Sequence, residues 1–314
     1  MPGSESDSDS VSAESTPLEE ADRRLESGSF SSGLTVPDFA ACLQMGLRPV
    51  GLVQGFCVMQ WGWYSAGSQY LRGANPFSPG GGPGVYSASW RCPHGMVSAE
   101  HRAWGQNYEQ PWVESAWAQG FGSAYERMLE EARFAKAHGV IGIVDRTTSL
   151  SDMGVTEFHI LGTAVVVEDG PPPADGVPWT TYLAGQRLAK LVESGFMPVA
   201  VTAALASVRV WAYCITEYQM RGGTSAWGAG MGAGYGVQEV DQISEAHAAV
   251  RSIARAHVRR GLQGDWLHGA RMDVSMQRVD EGDEVLECTL RGTRVRRFRQ
   301  ADPLPAPRPT VRLG

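Results

Sequence analysis

One cysteine and two histidines lie close together and are of the types most often used to bind transition metals. Cys92 and His94 are separated by one proline, and His101 follows seven residues later. Thiolate and imidazole groups bind soft and borderline ions such as Zn²⁺. A zinc site needs three or four ligands, and this group offers at most three, so a free thiol beside surface imidazoles explains the pattern equally well. We expect no stoichiometric metal, and if a transition metal binds, we expect Cys92, His94 and His101 to hold it.

The other groups capable of chemistry have simpler structural interpretations. Two glycine-rich segments, 79–84 and 228–236, lack the Gly-Lys-Ser/Thr sequence of a phosphate-binding loop. The remaining cysteines lie in apolar runs, where cysteine usually serves as a small core residue. These cysteines are Cys42, Cys57, Cys214 and Cys288. No catalytic constellation remains, so we expect a protein without enzymatic activity.

Aromatic residues are concentrated in one region of the chain. They could form a stacking platform for a small flat ligand, or they could order a long loop and fill an interface between subunits, where Trp and Tyr are enriched. We expect Trp112 and Trp227 at such an interface. The residues of the cluster are Trp61, Trp63, Tyr64, Tyr70, Trp90, Trp104, Tyr108, Trp112 and Trp117.

The hydrophobic pattern predicts the elements that position these residues. Apolar residues at three- and four-residue spacing predict a helix over about 114–138, with Glu126, Glu130 and Glu131 on its solvated face. Valine-rich runs predict strands at 48–59, 140–145 and 155–167. In the last of these, alternation places Glu157 and His159 on the face opposite Phe158. One face of such a sheet stays uncovered and needs a partner, either elsewhere in the chain or in a neighbouring chain.

The order of predicted elements then occurs a second time. A helix at 183–195 precedes a strand at 197–201, a second long helix covers about 237–262, and strands follow at 268–278 and 285–298. The apolar face expected for that long helix contains Val240, Ile243, His247, Val250, Ala254 and either His257 or Val258. Five elements in the same order indicate a tandem duplication.

Charge is distributed unevenly along the chain. Residues 1–26 contain eight acidic residues and two arginines, whereas the last 24 residues contain seven arginines and one acidic residue. The arginine run could contact nucleic acid, but a solvated strand followed by a tail, or an intramolecular partner for the acidic segment, also explains it. The body of the chain lacks a large positive excess, so nucleic acid is not the expected partner.

Composition places the chain in a broad class. The apolar fraction of 43% supports a buried core, and there is no apolar run of membrane-spanning length. The first residues, MPGSESDSDS, lack the basic and apolar regions of a secretory signal. Five scattered cysteines argue against a disulfide framework. We therefore expect a cytoplasmic protein.

Three separated motifs resemble the YbjQ-like family, whose descriptive name refers to heavy-metal binding. They are GLRPVGLVQGFCV, the helix GSAYERMLEEARFAKAHG with the following VIGIVD, and EFHILGTAV. The resemblance covers about 46–59 and 120–167, while the second half matches weakly and has Arg294 where the first half has Ala164. It implies a dodecin-like α+β fold of βαββ topology, with a helix on a small antiparallel sheet, and ring-like homo-oligomers.

These observations predict an α+β protein built from two tandem βαββ units. Its expected parts are a disordered acidic tail (1–33), a first unit (34–167) interrupted by a Gly/aromatic insertion (60–112), a proline-rich linker (168–178), a second unit (179–300) and a basic tail (301–314). The expected function is structural: a homo-oligomeric scaffold. The alternative is a protein that binds or sequesters a metal ion or a small flat ligand through the aromatic insertion.

Overall fold

The computed structural model describes most of the chain outside its termini and two long loops. The described residues are 31–60, 106–150, 155–212, 216, 220, 239–280 and 283–300. Within them the protein is a mixed α+β structure with two four-stranded sheets and four helices. None of these helices is both long and apolar enough to cross a membrane.

The elements follow one another along the chain with helices and strands interspersed. The helices are α1 (Val36–Gln44), α2 (Pro111–Phe134), α3 (Gly185–Glu193) and α4 (Asp241–Gly261). The strands are β1 (Leu47–Gln60), β2 (Gln106–Glu109), β3 (Gly139–Leu150), β4 (Val155–Val167), β5 (Trp179–Thr180), β6 (Phe196–Trp211), β7 (Trp266–Asp280) and β8 (Asp283–Arg297).

The first sheet has the strand order β1-β4-β3-β5, and the second has the order β2-β6-β8-β7. In the first sheet β4 pairs antiparallel with both β1 and β3, and in the second β8 pairs antiparallel with both β6 and β7. The short strands β5 and β2 extend the two sheets, parallel to β3 and antiparallel to β6 respectively. The strand β2 lies immediately before α2 in the sequence but belongs to the second sheet, so the chain crosses between the sheets at this point.

The strand pairing has the same register in the two sheets at corresponding positions. Pro49 lies opposite Val165 in the first sheet, and Pro198 lies opposite Val295 in the second. Each proline is followed by an irregularity in the ladder before pairing resumes. A proline cannot donate to the ladder, so it is tolerated at a bulge near the start of a strand.

A second irregularity also occurs at corresponding places, in β3 and in β7. It contains Gly142 with φ 61° in the first sheet and Gly269 with φ 64° in the second. This left-handed backbone is reached by glycine without steric penalty, which explains glycine at both positions.

Helix α2 lies between the two sheets. On one side it packs against Val53 and Cys57 of β1 and Phe158 of β4, and the same core includes Val201 and Leu205 of β6. Helix α4 covers the other face of the second sheet, where Ala206, Val208 and Val210 of β6 are buried with Val250 and Ala254. The layers therefore run first sheet, α2, second sheet, α4.

Helices α1 and α3 form a third contact between the halves of the chain. Their close approach is visible at Gly185, where an added Cβ would overlap the backbone of Asp38. Cys42, Leu188 and Leu191 from these helices are buried together with residues of both sheets.

Several sequence predictions require correction. Glu131, assigned to the solvated face of α2, is buried, because its carboxylate accepts a hydrogen bond from the backbone of Gln54. The residues that α4 buries are Gln242, Ala246, Val250, Ala254 and Val258. Of the apolar face predicted for this helix, Val250, Ala254 and Val258, the second of the two alternatives, are buried, and Ile243 packs against the same core. Val240 and His247 are only partly buried.

The predicted boundaries also differ in places. The 60–112 insertion ends in regular structure, since β2 and the first residues of α2 lie inside it. Strand β6 contains the predicted 197–201 and extends to Trp211. Ser32 and Gly33, placed in the acidic tail, hydrogen bond with Thr163. Residues 168–178 contain turns without helix or strand.

Candidate functional site

The predicted metal ligands cannot be placed. Cys92, His94 and His101 lie outside the described residues, as do Trp227 and most of the aromatic cluster. Trp112 is described, and its side chain on the first turn of α2 is 44% exposed. An interface role for Trp112 therefore stays a prediction.

The described cysteines are buried. Cys42, Cys57 and Cys288 are free thiols with at most 5% exposure. Burial raises the pKa of Cys42 to about 11, with a further contribution from the nearby Asp38, and burial also raises the pKa of Cys288. A thiol in this environment stays protonated and unreactive, which fits the predicted role as small core residues.

A Glu-Glu-His cluster lies where β2, α2 and α4 meet. Glu109 ends β2, Glu114 lies in the first turn of α2, and His257 lies in the last two turns of α4. One nitrogen or oxygen atom from each residue lies within 4.8 Å of the other two. Because Glu109 and Glu114 are more than 140 residues from His257 in the sequence, only the fold brings them together.

The local backbone fixes the orientation of Glu114. The nitrogen of Gln110 donates to the carbonyl oxygen of Ser207, which attaches the start of α2 to β6. The Ser207 nitrogen in turn donates to Glu114 Oε1 at 3.0 Å. The hydroxyl of Ser207 donates to the side-chain oxygen of Gln110 at 2.9 Å. One carboxylate oxygen of Glu114 thus accepts a hydrogen bond from the backbone N–H of Ser207 in β6, and the other faces His257.

The electrostatics of the cluster are set mainly by burial. The Glu114 side chain is 7% exposed, and burial raises its pKa, while the Ser207 N–H, His257 and Arg260 act to lower it and Glu109 to raise it. Its Oε2 atom lies 3.6 Å from His257 Nε2, and Glu109 Oε1 lies 3.9 Å from the same nitrogen. Both distances exceed those of N–H···O hydrogen bonds. The cluster opens to solvent through Glu109, whose side chain is 44% exposed.

The arginines of β8 bind within the chain. Arg291 contacts Asp145 of β3 at 2.8 Å, and Arg294 and Arg296 both contact Asp265. The Arg296 guanidinium holds the pKa of Asp265 below its usual range, with help from Arg294. Three of the seven arginines that suggested a nucleic-acid surface are therefore engaged in intramolecular ion pairs.

The first sheet has an open face on the side away from α2. We call it the outer face, and its central residues are Phe56, Val58, Val144, Glu157, His159 and Leu161. Phe56 is 46% exposed, Val58 56% and Val144 45%. Pairing places Phe56 beside His159, and Val144 beside Leu161, so these side chains form one continuous surface.

The corresponding face of the second sheet is closed. From the shared register, Leu205 in β6 occupies the position that Phe56 occupies in β1, seven residues after the proline at the start of each strand. Leu205 is 6% exposed and belongs to the core around α2. The second sheet therefore has helices on both faces. The first sheet has α2 on one face, and on its outer face α1 and α3 cover only the end that contains Leu47, Ile141 and Val165.

An open groove of about 480 Å³ lies between α3 and the start of β7. Arg187 and Lys190 line one side and Trp266 and Phe196 the other, with their rings 5.4 Å apart. Its combination of cationic and aromatic groups suits a small anionic ligand with a flat ring.

The chain is similar in part to a protein of Mycobacterium tuberculosis named an encapsulin nanocompartment protein. The two are 26% identical over 176 residues, which are 55% of this chain and 53% of the relative. The chain thus matches about half of the length of this curated relative. It matches the sequence profile of no known protein family. No solved structure matches it either.

Proposed function

We propose that this chain is a non-enzymatic, self-assembling structural protein whose copies associate through the outer face of the first sheet. The observation that carries the proposal is the difference between Phe56 and Leu205. At corresponding register positions, Leu205 is buried under α2, whereas Phe56 is 46% exposed. A sheet with an uncovered apolar face is rarely left in contact with water, so a partner for it is expected.

The partner is a second copy of this chain. Within one chain, a helix that covers its own sheet also packs on the face of the next sheet, as α2 does on β6. The same contact made between copies would place α4 of one chain on the outer face of another. Ala248, Ser252 and Ala256 form an exposed row on α4 that would allow close approach. Such a head-to-tail contact uses two different surfaces and closes into a ring if the rotation permits.

This mode of assembly rests on the two halves being copies of one βαββ unit, which is also part of the proposal. The shared strand order, register and bulge positions support it. The proposal retains the YbjQ-like identity of both units and a cytoplasmic location as inferences from the sequence alone. The partial similarity to a protein named for a nanocompartment supports an assembling role.

A charge placed on the outer face tests the proposal. We expect Phe56→Glu to convert the assembly into smaller species, because the contact between copies would have to bury a charged carboxylate in place of an apolar ring. The half-exposed position of Phe56 leaves the intramolecular core intact. Sedimentation velocity measures the assembly, and circular dichroism with thermal melting checks that the chain is folded.

Met276→Glu is the matched control. Met276 is 47% exposed and belongs to the edge strand of the second sheet. The Met276→Glu variant introduces the same charge at a similarly exposed apolar position, and we expect this variant to assemble like the unaltered chain. If Phe56→Glu assembles like the unaltered chain, the outer face is not the contact.

A second candidate function is the binding of a small flat ligand, the alternative left open by the sequence. The groove lined by Arg187, Lys190 and Trp266 favours it. The described residues that line this groove lie outside the aromatic insertion, to which the sequence had assigned that role.

A further inference from the structure

The spacing within the Glu-Glu-His cluster fits a bound metal better than direct pairing of its members. Two ligands about 2.1 Å from a tetrahedral Zn²⁺ lie about 3.4 Å apart. His257 Nε2 lies 3.6 Å from Glu114 Oε2 and 3.9 Å from Glu109 Oε1. These separations are slightly wider than those of coordinated ligands and too wide for hydrogen bonds. Small side-chain movements would bring all three atoms onto one ion.

The Glu114 carboxylate provides a second, independent indication. Its side chain is 93% buried, and its Oε1 atom accepts a hydrogen bond from the Ser207 nitrogen. Its Oε2 atom faces His257 Nε2 at 3.6 Å, within the distance of an ion pair and beyond that of a hydrogen bond. An ionised carboxylate in so buried a position is costly, and a cation beside it would compensate for that cost.

From this geometry, we propose that Glu109, Glu114 and His257 form a binding site for a divalent transition-metal ion of the zinc type. The two carboxylates balance the double charge, and the imidazole supplies a nitrogen ligand that favours zinc over magnesium or calcium. Solvent reaches the ion past Glu109 and provides the remaining ligand.

The position of the site gives it a structural role. It links β2 and the start of α2 to the last turns of α4, three elements that meet at one edge of the second sheet. Metal binding at such a junction stabilises the folded chain by mass action. The site is separate from the outer face and uses none of the loop residues Cys92, His94 and His101, so its test does not depend on the proposed assembly.

Zinc binding to the full chain tests the proposal. After removal of metal with EDTA, isothermal titration with ZnCl₂ should give about one ion per chain, and zinc should raise the melting temperature. His257→Gln should weaken binding at least about 10-fold, since even loss of a residue that only supports a ligand commonly has an effect of that size. Glu114→Gln should do the same while keeping an oxygen acceptor for the Ser207 nitrogen.

The controls are His268→Gln and Glu130→Gln, which change exposed residues of the same types, and Cys92→Ser. All three should bind zinc as the unaltered chain does. Absence of zinc binding by the unaltered chain would overturn the proposal. Zinc that is retained by His257→Gln and lost by Cys92→Ser would overturn it in favour of the loop residues.

Discussion

Replacing Gly55 by alanine is expected to lower the free energy of unfolding by at least about 3 kcal/mol. Gly55 lies in β1, where the backbone of α2 passes directly over it. An added Cβ would lie 2.5 Å from the backbone nitrogen of Met128 and closer still to the carbonyl oxygen of Ala124. Both are helix backbone atoms and cannot rotate away. The helix would have to move off the strand, and the core shared by both sheets would loosen with it.

Gly51→Ala in the same strand is the control for this effect. A Cβ at Gly51 would meet nothing within 4 Å. We expect this variant to change stability by less than about 0.5 kcal/mol. Urea unfolding followed by circular dichroism at one protein concentration gives both values. Equal stability of the two variants would contradict the close approach of α2 to β1.

Glu131→Ala is expected to lower the free energy of unfolding by about 2 kcal/mol. Glu131 Oε2 accepts a hydrogen bond from the Gln54 nitrogen at 2.8 Å, and the residue is 6% exposed. Removing the carboxylate leaves this N–H without its acceptor at the edge of the first sheet, a loss of about 1–3 kcal/mol. The same urea measurement applies.

Glu131→Gln separates the hydrogen bond from the charge. The amide oxygen of glutamine can still accept from Gln54, so we expect a loss of less than about 1 kcal/mol for this variant. If glutamine is as destabilising as alanine, the negative charge of Glu131 matters more than the contact with Gln54.

The two glutamates of α2 that face strand edges explain why the helix lies where it does. Glu131 caps the N–H of Gln54 in β1, and Glu114 caps that of Ser207 in β6. Each bond satisfies a backbone donor that the neighbouring strands leave unpaired, since β1 is an edge strand and β2 pairs with β6 only from Val208 onwards. Helix α2 thereby forms one side-chain hydrogen bond to a strand of each sheet.

Much of the fold could be predicted from the sequence, because it depends on periodic burial. The alternation through Phe158 and Ile160 predicts β4 with its observed bounds, and both residues are buried. The spacing of Met128, Leu129 and Ala132 gives the buried side of α2. These signals come from residues that are close together in the sequence, so a single sequence is enough to detect them.

What the sequence could not provide depends on contacts between distant segments. Glu131 carries the charge and spacing of a solvated residue, and only its position beside Gln54 explains its burial. His257 lies near the apolar stripe of α4, but its neighbours Glu109 and Glu114 come from a crossing between sheets that no local pattern indicates. Strand β2 is four residues long and lies within a segment that otherwise resembles a loop.

The molar mass of the unaltered full chain in solution tests the central claim most directly. One chain has a mass of 33.9 kDa. Sedimentation velocity at micromolar concentration should give a single species at a multiple of that mass, because the outer face of the first sheet is covered by a second copy. A species of 33.9 kDa across the concentration range would contradict self-assembly through the outer face.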